Sequence, residues 1–370
     1  MRDHGKLLLV GSIARPEDGW DVEDVLRNSA QTVGPYVSML PDGEIGDRTL
    51  WINFIARRVF PGHPDLITTS RHTYDDWKPR TGYGDLWRVT VRDGVESIAI
   101  DRIGYADEAL QSYATFKRLK DEGVIPNGVR FMVALPLTES ATRGFVGNAR
   151  DFEILWAGYR DALATEIKEI VSEIPADELA IQWDLARETA AVEGVEFQFP
   201  NSDLRRLPAD PLDRYCHALS ELAPAIPETV WLGLHICYGS LEHREGESPD
   251  SGHYVPIRDL GVAVEMLNAG VRACGRQVDF VHAPVQFARG LQDSHYRDLS
   301  RLDIGQARVY LGLIDPSDGV DGATARTQVA RRHLAEFGLG TACGWGRRPL
   351  SESVEDLLEL ERDVADQLWR

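Results

Sequence analysis

A (β/α)8 barrel, a TIM barrel running through residues 1–370 as one domain, is the architecture this sequence predicts, and three observations carry it. About eight short apolar runs rich in Val, Ile and Leu recur, the number that closes such a barrel. Most of them are followed by a stretch with apolar residues at helical spacing. The polar residues able to do chemistry stand at the C-terminal ends of those runs, where the strands of a barrel open on one common mouth.

The runs are Lys6–Ile13, Tyr36–Leu40, Arg130–Leu135, Leu179–Trp183, Val230–Ile236, Val278–His282, Arg308–Ile314 and Gly340–Gly344. Near-continuous apolar strands alternating with helices mark a parallel sheet covered on its outer face. The clearest amphipathic stretches are Asp151–Ile174, Pro211–Leu222, Leu260–Ala273, Ala323–Phe337 and Ser351–Leu368. Two segments break the repeat. Residues 60–102 contain a predicted hairpin, WRVTVRDGVESIAI, with Asp93-Gly94 as its turn. Residues 191–210 read as a long loop after the fourth strand. Both are expected to be insertions in βα loops, over the mouth.

The chain has 370 residues, 43% of them hydrophobic and 27% charged, an ordinary soluble composition. A net charge of −19 argues against nucleic acid, whose phosphates call for a basic surface, and against anionic membranes. The first twenty residues carry one short apolar run with charges and prolines close behind, too short for a secretory signal or a membrane span. The expectation is therefore a cytoplasmic protein. The four cysteines, Cys216, Cys237, Cys274 and Cys343, form no Cys-x-x-Cys pair. In a reducing compartment they read as core residues, ligands or nucleophiles, not disulfide partners.

The strand ends hold the candidates. Gly11-Ser12 closes the first run and Asp42-Gly43-Glu44 the second; Glu139 follows the third, and Gln182 and Asp184 end the fourth. His235 and Cys237 end the fifth, His282 the sixth, Asp315 the seventh and Cys343 the eighth. Residues two apart on a strand share a face, so His235 and Cys237 project together, and imidazole and thiolate both bind zinc. Taken singly, each has a plain alternative. The His-x-Cys pair can be packing, Cys343 a small core residue, Glu44 a helix-dipole partner, Asp184 a turn cap and Asp315 a turn residue. His4, His63, His72, His217 and His333 read as surface or core residues.

The islands VGSIARP, PDGE, IQWD, HICYG, LGLID and ACG, spread over nearly the whole chain, resemble the C-terminal catalytic barrel of cobalamin-independent methionine synthases. The broader group includes uroporphyrinogen decarboxylase-like barrels, and this chain resembles a short, single-barrel form. The resemblance implies zinc held by the matching His, Cys and late Cys, here His235, Cys237 and Cys343. It implies that the amine of an amino-acid substrate meets Glu44 and Asp184, and that its carboxylate meets the turn of Gly11, Ser12 and Ile13. Two departures stand out. The family places a glutamate ligand after the sixth strand, where this chain has His282, so a His₂Cys₂ site is expected. The family's Asp-Glu-Pro after the fourth strand is replaced by Asp184-Leu185-Ala186-Arg187-Glu188, which puts Arg187 in position to meet a carboxylate or phosphate.

The function expected is a zinc-dependent transferase moving a methyl or other alkyl group onto the thiol of a small amino-acid-like substrate such as homocysteine. Zinc deprotonates the thiol, and Asp315 or Glu139 assists as proton shuttle. The alkyl donor stays open between folate, a methylated corrinoid protein and a small sulfonium or epoxide. A second expectation on the same barrel is zinc-assisted carbon–sulfur cleavage or decarboxylation, with Arg187 and Arg143 on a substrate carboxylate. A third is a non-catalytic zinc-binding barrel.

Overall fold

The computed structural model describes residues 5–70, 88–195, 204, 209–239, 255, 258–346, 348 and 351–369. Its main sheet has seven parallel strands: β1 (Met39–Pro41), β4 (Arg130–Pro136), β5 (Leu179–Leu185), β6 (Trp231–Ile236), β7 (Phe280–Pro284), β8 (Arg308–Ile314) and β9 (Gly338–Thr341). They follow one another in chain order across the sheet, which is the simple βα winding the apolar runs predicted. The sheet curls, and the fold is an α/β half-barrel of TIM-like character. The eighth strand expected over Lys6–Ile13 does not form as a regular strand. Leu7 instead makes isolated parallel bridges to Val37 on one side and Leu339 on the other. Lys6 N donates to Tyr36 O and Leu8 N to Leu339 O, so this short segment spends its hydrogen bonds on both edges without room for a ladder.

Helices α1 (Val22–Val33), α2 (Tyr105–Asp121), α4 (Ala149–Glu173), α6 (Pro211–Leu222), α7 (Gly261–Ala273), α8 (Gly319–Ala330) and α9 (Val354–Trp369) cover the outer face. Short helices α3 (Thr138–Thr142) and α5 (Arg187–Val192) follow β4 and β5 directly. Helices α1 and α2 went unpredicted, and α8 starts and stops earlier than Ala323–Phe337, because residues 331–337 are needed to reach β9. Local chemistry sets several starts. Asp210 accepts from Leu212 N with Pro211 in the first turn of α6. The buried Glu166 carboxylate takes the amides of Ile103, Gly104 and Ala106 at the head of α2. None of the described helices is long and apolar enough to cross a membrane.

The expected hairpin over 87–100 is corrected by the structure. Strand β3 (Arg88–Val91) pairs antiparallel with the earlier β2 (Leu66–Ser70), not with the residues that follow Asp93-Gly94. Asp93-Gly94 does turn, with Gly94 at φ 80. Beyond it Ile98 lies against α4, so close that a Cβ on Gly158 would sit 2.6 Å from its Cγ1. Helix packing has won over strand pairing. The 60–102 segment lies between β1 and α2; residues 71–87 lie outside the described residues, as does most of the 191–210 loop.

Two apolar clusters result. The larger lies between sheet and helices. The smaller, Leu8, Met39, Met132, Ala180, Trp231, Phe280 and Tyr310, fills the inner face of the curl. Glycines make room for its rings. A Cβ at Gly233 would fall 2.1 Å from Phe280 Cζ, and one at Gly338 2.5 Å from the Tyr310 ring. Arg130 stacks on Trp231 at 4.4 Å to the ring centroid.

Gly233→Ala should therefore overpack the interior and cost about 1–3 kcal/mol, read as a lower thermal midpoint. Adding Phe280→Leu should recover much of that loss. A second test concerns Glu361, which sits in the buried stripe of α9, fully buried and with both carboxylate oxygens lacking a hydrogen-bond partner among the described residues. Burial pushes its pKa well above the usual carboxylate range. The folded state then binds a proton that the unfolded state releases, so stability falls as pH rises above the ordinary glutamate value of 4.5. Glu361→Leu should flatten that pH slope, at most about 1.4 kcal/mol per pH unit, in denaturant midpoints taken across the acid range.

Candidate metal and substrate site

Parallel register sets the level of the site. Asp184 on β5 pairs with His235 on β6, and His235 pairs with His282 on β7, so three polar residues stand side by side on adjacent strands. Register partners in a parallel sheet point to one face, and Cys237 follows two residues beyond His235. Its amide donates to Leu185 O as the strand ends.

Cys343 lies just past β9, not within a strand as expected. The loop that carries it is held by Ser12. Trp345 N donates to Ser12 O at 2.7 Å and Gly346 N to Ser12 Oγ at 2.9 Å. A Cβ on Gly344 would lie 2.8 Å from Ser12 N and O, and one on Gly346 would lie 2.0 Å from Ser12 Oγ. The two glycines of the Cys-Gly-Trp-Gly stretch thus let residues 344–346 seat on the Gly11-Ser12 turn. Thr341 Oγ1 donates to Cys343 O at 2.7 Å. Buried Arg348 braces the same junction, donating to Ile13 O and Trp345 O and pairing with Asp18 at 2.8 Å.

The result brings His235, Cys237 and Cys343 together, with one ligand atom from each inside a mutual span of 4.8 Å. The two sulfurs are 3.7 Å apart. His282 lies outside that span but touches the cluster, its Nδ1 2.7 Å from His235 Nδ1. The hydrogen bond with Cys343, with burial added, pushes the Cys237 thiol well above its usual range. Burial, and then the neighbouring His235, pushes His282 well below the usual imidazole range, so it stays neutral with a lone pair for ligation. Two thiols and two imidazoles, all buried except the half-buried Cys343, with Nε2 of His282 lacking a hydrogen-bond partner among the described residues, form a donor set that suits zinc.

The acids expected to take an amine are next to this cluster. Gln182 Nε2 donates to Asp184 Oδ1 at 2.9 Å, and Asp184 is buried. Glu44 is buried too, and its carboxylate faces the Gly11 turn, 3.7 Å from where a Cβ on Gly11 would be. Its backbone adopts φ 52, an uncommon left-handed setting for a non-glycine residue. That turn is fixed by Asp42, which accepts from Glu44 N and holds Arg48 through both carboxylate oxygens. Burial alone would raise Asp42, but the charge and hydrogen bonds of Arg48 win and hold it below the usual carboxylate range.

Four expected site residues have other engagements. The Asp315 carboxylate accepts from Ser317 N and Oγ in the turn before α8. Glu139, fully enclosed, pairs with Arg143 and, through both oxygens, with Arg214. Arg143 is therefore part of that ion-pair cluster. Arg187 is buried, takes Ser140 Oγ on its backbone amide and lays its guanidinium over Gly144, where a Cβ would be 2.9 Å from Nη2. One neighbour was missed in the sequence. Glu188 accepts from Ser140 N and Oγ and is pushed up to about 7 by burial and then by Glu139. Only its position one residue after Arg187 hinted at it.

No family model matches the sequence, and no curated protein matches it either. Among solved structures the chain is similar to a B12-independent methionine synthase from Shewanella sp. W3-18-1 in complex with selenomethionine. The identity is 15% over 98% of each chain, with a TM-score of 0.56. It is also similar to a candidate vitamin-B12 independent methionine synthase from Listeria monocytogenes, at 13% identity over 100% of this chain and 98% of the other, with a TM-score of 0.54. At those identities the likeness establishes a shared fold over the full length.

Proposed function

We propose that the chain is a zinc-dependent transferase that moves a methyl or other alkyl group onto the thiol of a small, amine-bearing acid of the homocysteine type. The observation that carries this is the convergence of His235, Cys237 and Cys343 within 4.8 Å, one register step from Asp184. The full-length fold likeness to methionine synthases supports it. A structural zinc site would have no use for two further buried carboxylates beside it, which is why the non-catalytic reading is set aside.

His235, Cys237 and Cys343 would hold the ion, with His282 as the fourth donor. Zinc bound there supplies Lewis acidity that keeps an incoming thiol ionised at neutral pH, where a free thiol with a pKa of about 8.5 is mostly protonated. Asp184 and Glu44 accept from the substrate ammonium and fix its direction. Ser12 Oγ already accepts from Gly346 N, and its hydroxyl would donate to a substrate carboxylate, with the Gly11 turn beside it. Arg187 is buried past β5 with its guanidinium over Gly144, and no substrate contact is assigned to it. Asp315 and Glu139 have their carboxylates committed elsewhere, and the reading does without them. The donor is proposed to be a folate, a methylated corrinoid protein or a small sulfonium or epoxide.

Purified protein should carry about one equivalent of zinc by elemental analysis, one four-donor site's worth. Cys237→Ser and Cys343→Ser should lose the metal while keeping the circular dichroism of the wild type. A folded wild type that is active without metal would end the proposal. Zinc-edge X-ray absorption should show one added sulfur neighbour when homocysteine is supplied, and none with its oxygen analogue homoserine. Asp184→Asn should weaken homocysteine binding about 10- to 100-fold, the worth of a charge-assisted hydrogen bond, with zinc content unchanged.

A further inference from the structure

Two buried polar atoms near the metal-ligating cluster lack a hydrogen-bond partner among the described residues: Oε1 of Gln182 and Nε2 of His282. Both residues are fully buried. An orphaned donor or acceptor away from water is costly, so each of these atoms calls for a partner.

The fold brings them toward one place. Gln182 leaves β5 and crosses the inside of the curl, where its Nε2 donates to Val10 O at 2.7 Å and to Asp184 Oδ1 at 2.9 Å. Those bonds use both amide hydrogens and fix which end of the carboxamide is oxygen. His282 leaves β7 with Nε2 facing β9, 3.7 Å from where a Cβ on Gly340 would sit. That same Cβ position is 2.7 Å from Leu8 O, two residues before Val10. The amide of Gln182 and the imidazole edge of His282 therefore both reach the strip made by residues 8–10 and β9.

We infer that Gln182 is a positioning residue that sets the tautomer of His282: its carboxamide oxygen accepts from His282 Nε2–H across one buried water, leaving the Nδ1 lone pair turned toward His235. A histidine ligates through its unprotonated nitrogen, and an acceptor on the opposite N–H is what selects that nitrogen. A single water suits a polar gap with donors and acceptors on opposite sides. The same carboxamide holds Asp184, so one side chain ties a metal donor to the carboxylate assigned to the substrate amine. The inference rests on the zinc reading above. The carbonyl of Thr341, which faces the same ring, is the competing acceptor.

The test uses the full chain, with 15N-labelled histidine, and zinc titrated against a competing chelator. Metal-free wild type should show His282 protonated on Nε2. Gln182→Met, which keeps the length and removes both amide ends, should weaken zinc binding about 10- to 100-fold and turn the His282 signal into a mixture of tautomers. Gln182→Glu keeps an oxygen acceptor and should restore most of the zinc affinity. A wild type that binds no zinc defeats the metal reading itself. A wild type that binds zinc with His282 protonated on Nδ1 overturns the role of Gln182 alone and leaves Thr341 as the acceptor, as does Gln182→Met protein with unchanged affinity and signal.

Discussion

Parallel strand register is what the site rests on. Asp184, His235 and His282 come from positions up to 98 residues apart in the chain, and they stand on one level only because β5, β6 and β7 are paired without a slip. A one-residue slip of β6 would turn His235 and Cys237 to the helix side and bring Leu234 and Ile236 inward. What fixes the register lies below the site. Trp231, Phe280 and Tyr310 fill the interior in positions that Gly233 and Gly338 leave open, so a shifted strand would drive a side chain into a ring. Apolar packing at one end of the sheet thereby determines polar geometry at the other.

The burial of so many polar groups has a cost that the structure offsets pair by pair. Asp42 is matched by Arg48, Glu139 by Arg143 and Arg214, and Asp18 by Arg15 and Arg348. Such pairs stabilise little in net terms, since desolvation opposes their attraction, but breaking one leaves a charge stranded. Their contribution is to direction. They immobilise the turns after β1 and β4 and the turn of Gly11 and Ser12, so that Glu44 and Ser12 face inward on fixed backbone. The donor cluster has no comparable compensation from the chain itself. Its two sulfurs stand 3.7 Å apart beside two imidazoles in mutual contact, a donor set that suits a cation.

Much of this was readable in the sequence, for local reasons. Apolar runs located the seven strands of the sheet, and the i, i+2 rule gave His235 and Cys237 a shared face. Pro211 after Asp210 marked the start of α6 to the residue. What failed was non-local. The run at Lys6–Ile13 has strand composition, yet its hydrogen bonds are divided between two edges. Val95, Ile98 and Ile100 have strand character as well, yet Ile98 packs on α4 at Gly158. Glu139 has one partner nearby in Arg143, but the second, Arg214, lies 75 residues further on. The His235–His282 contact depends on pairing between strands, which no spacing along one strand encodes.

The bond from Gly346 to Ser12 joins residues 334 positions apart, and the two cysteine sulfurs that meet belong to residues 106 positions apart. Contacts of such long sequence separation form late and slowly, because loop closure has to precede any reward. During folding, His235 and Cys237 must wait at the C-terminal end of a central strand until the glycine-rich loop seats on Ser12 and delivers the last sulfur. A cell that makes this polypeptide therefore meets a transient species with a bare thiol beside an imidazole, open to stray copper or to oxidants, and loading of the correct ion becomes a race against that exposure.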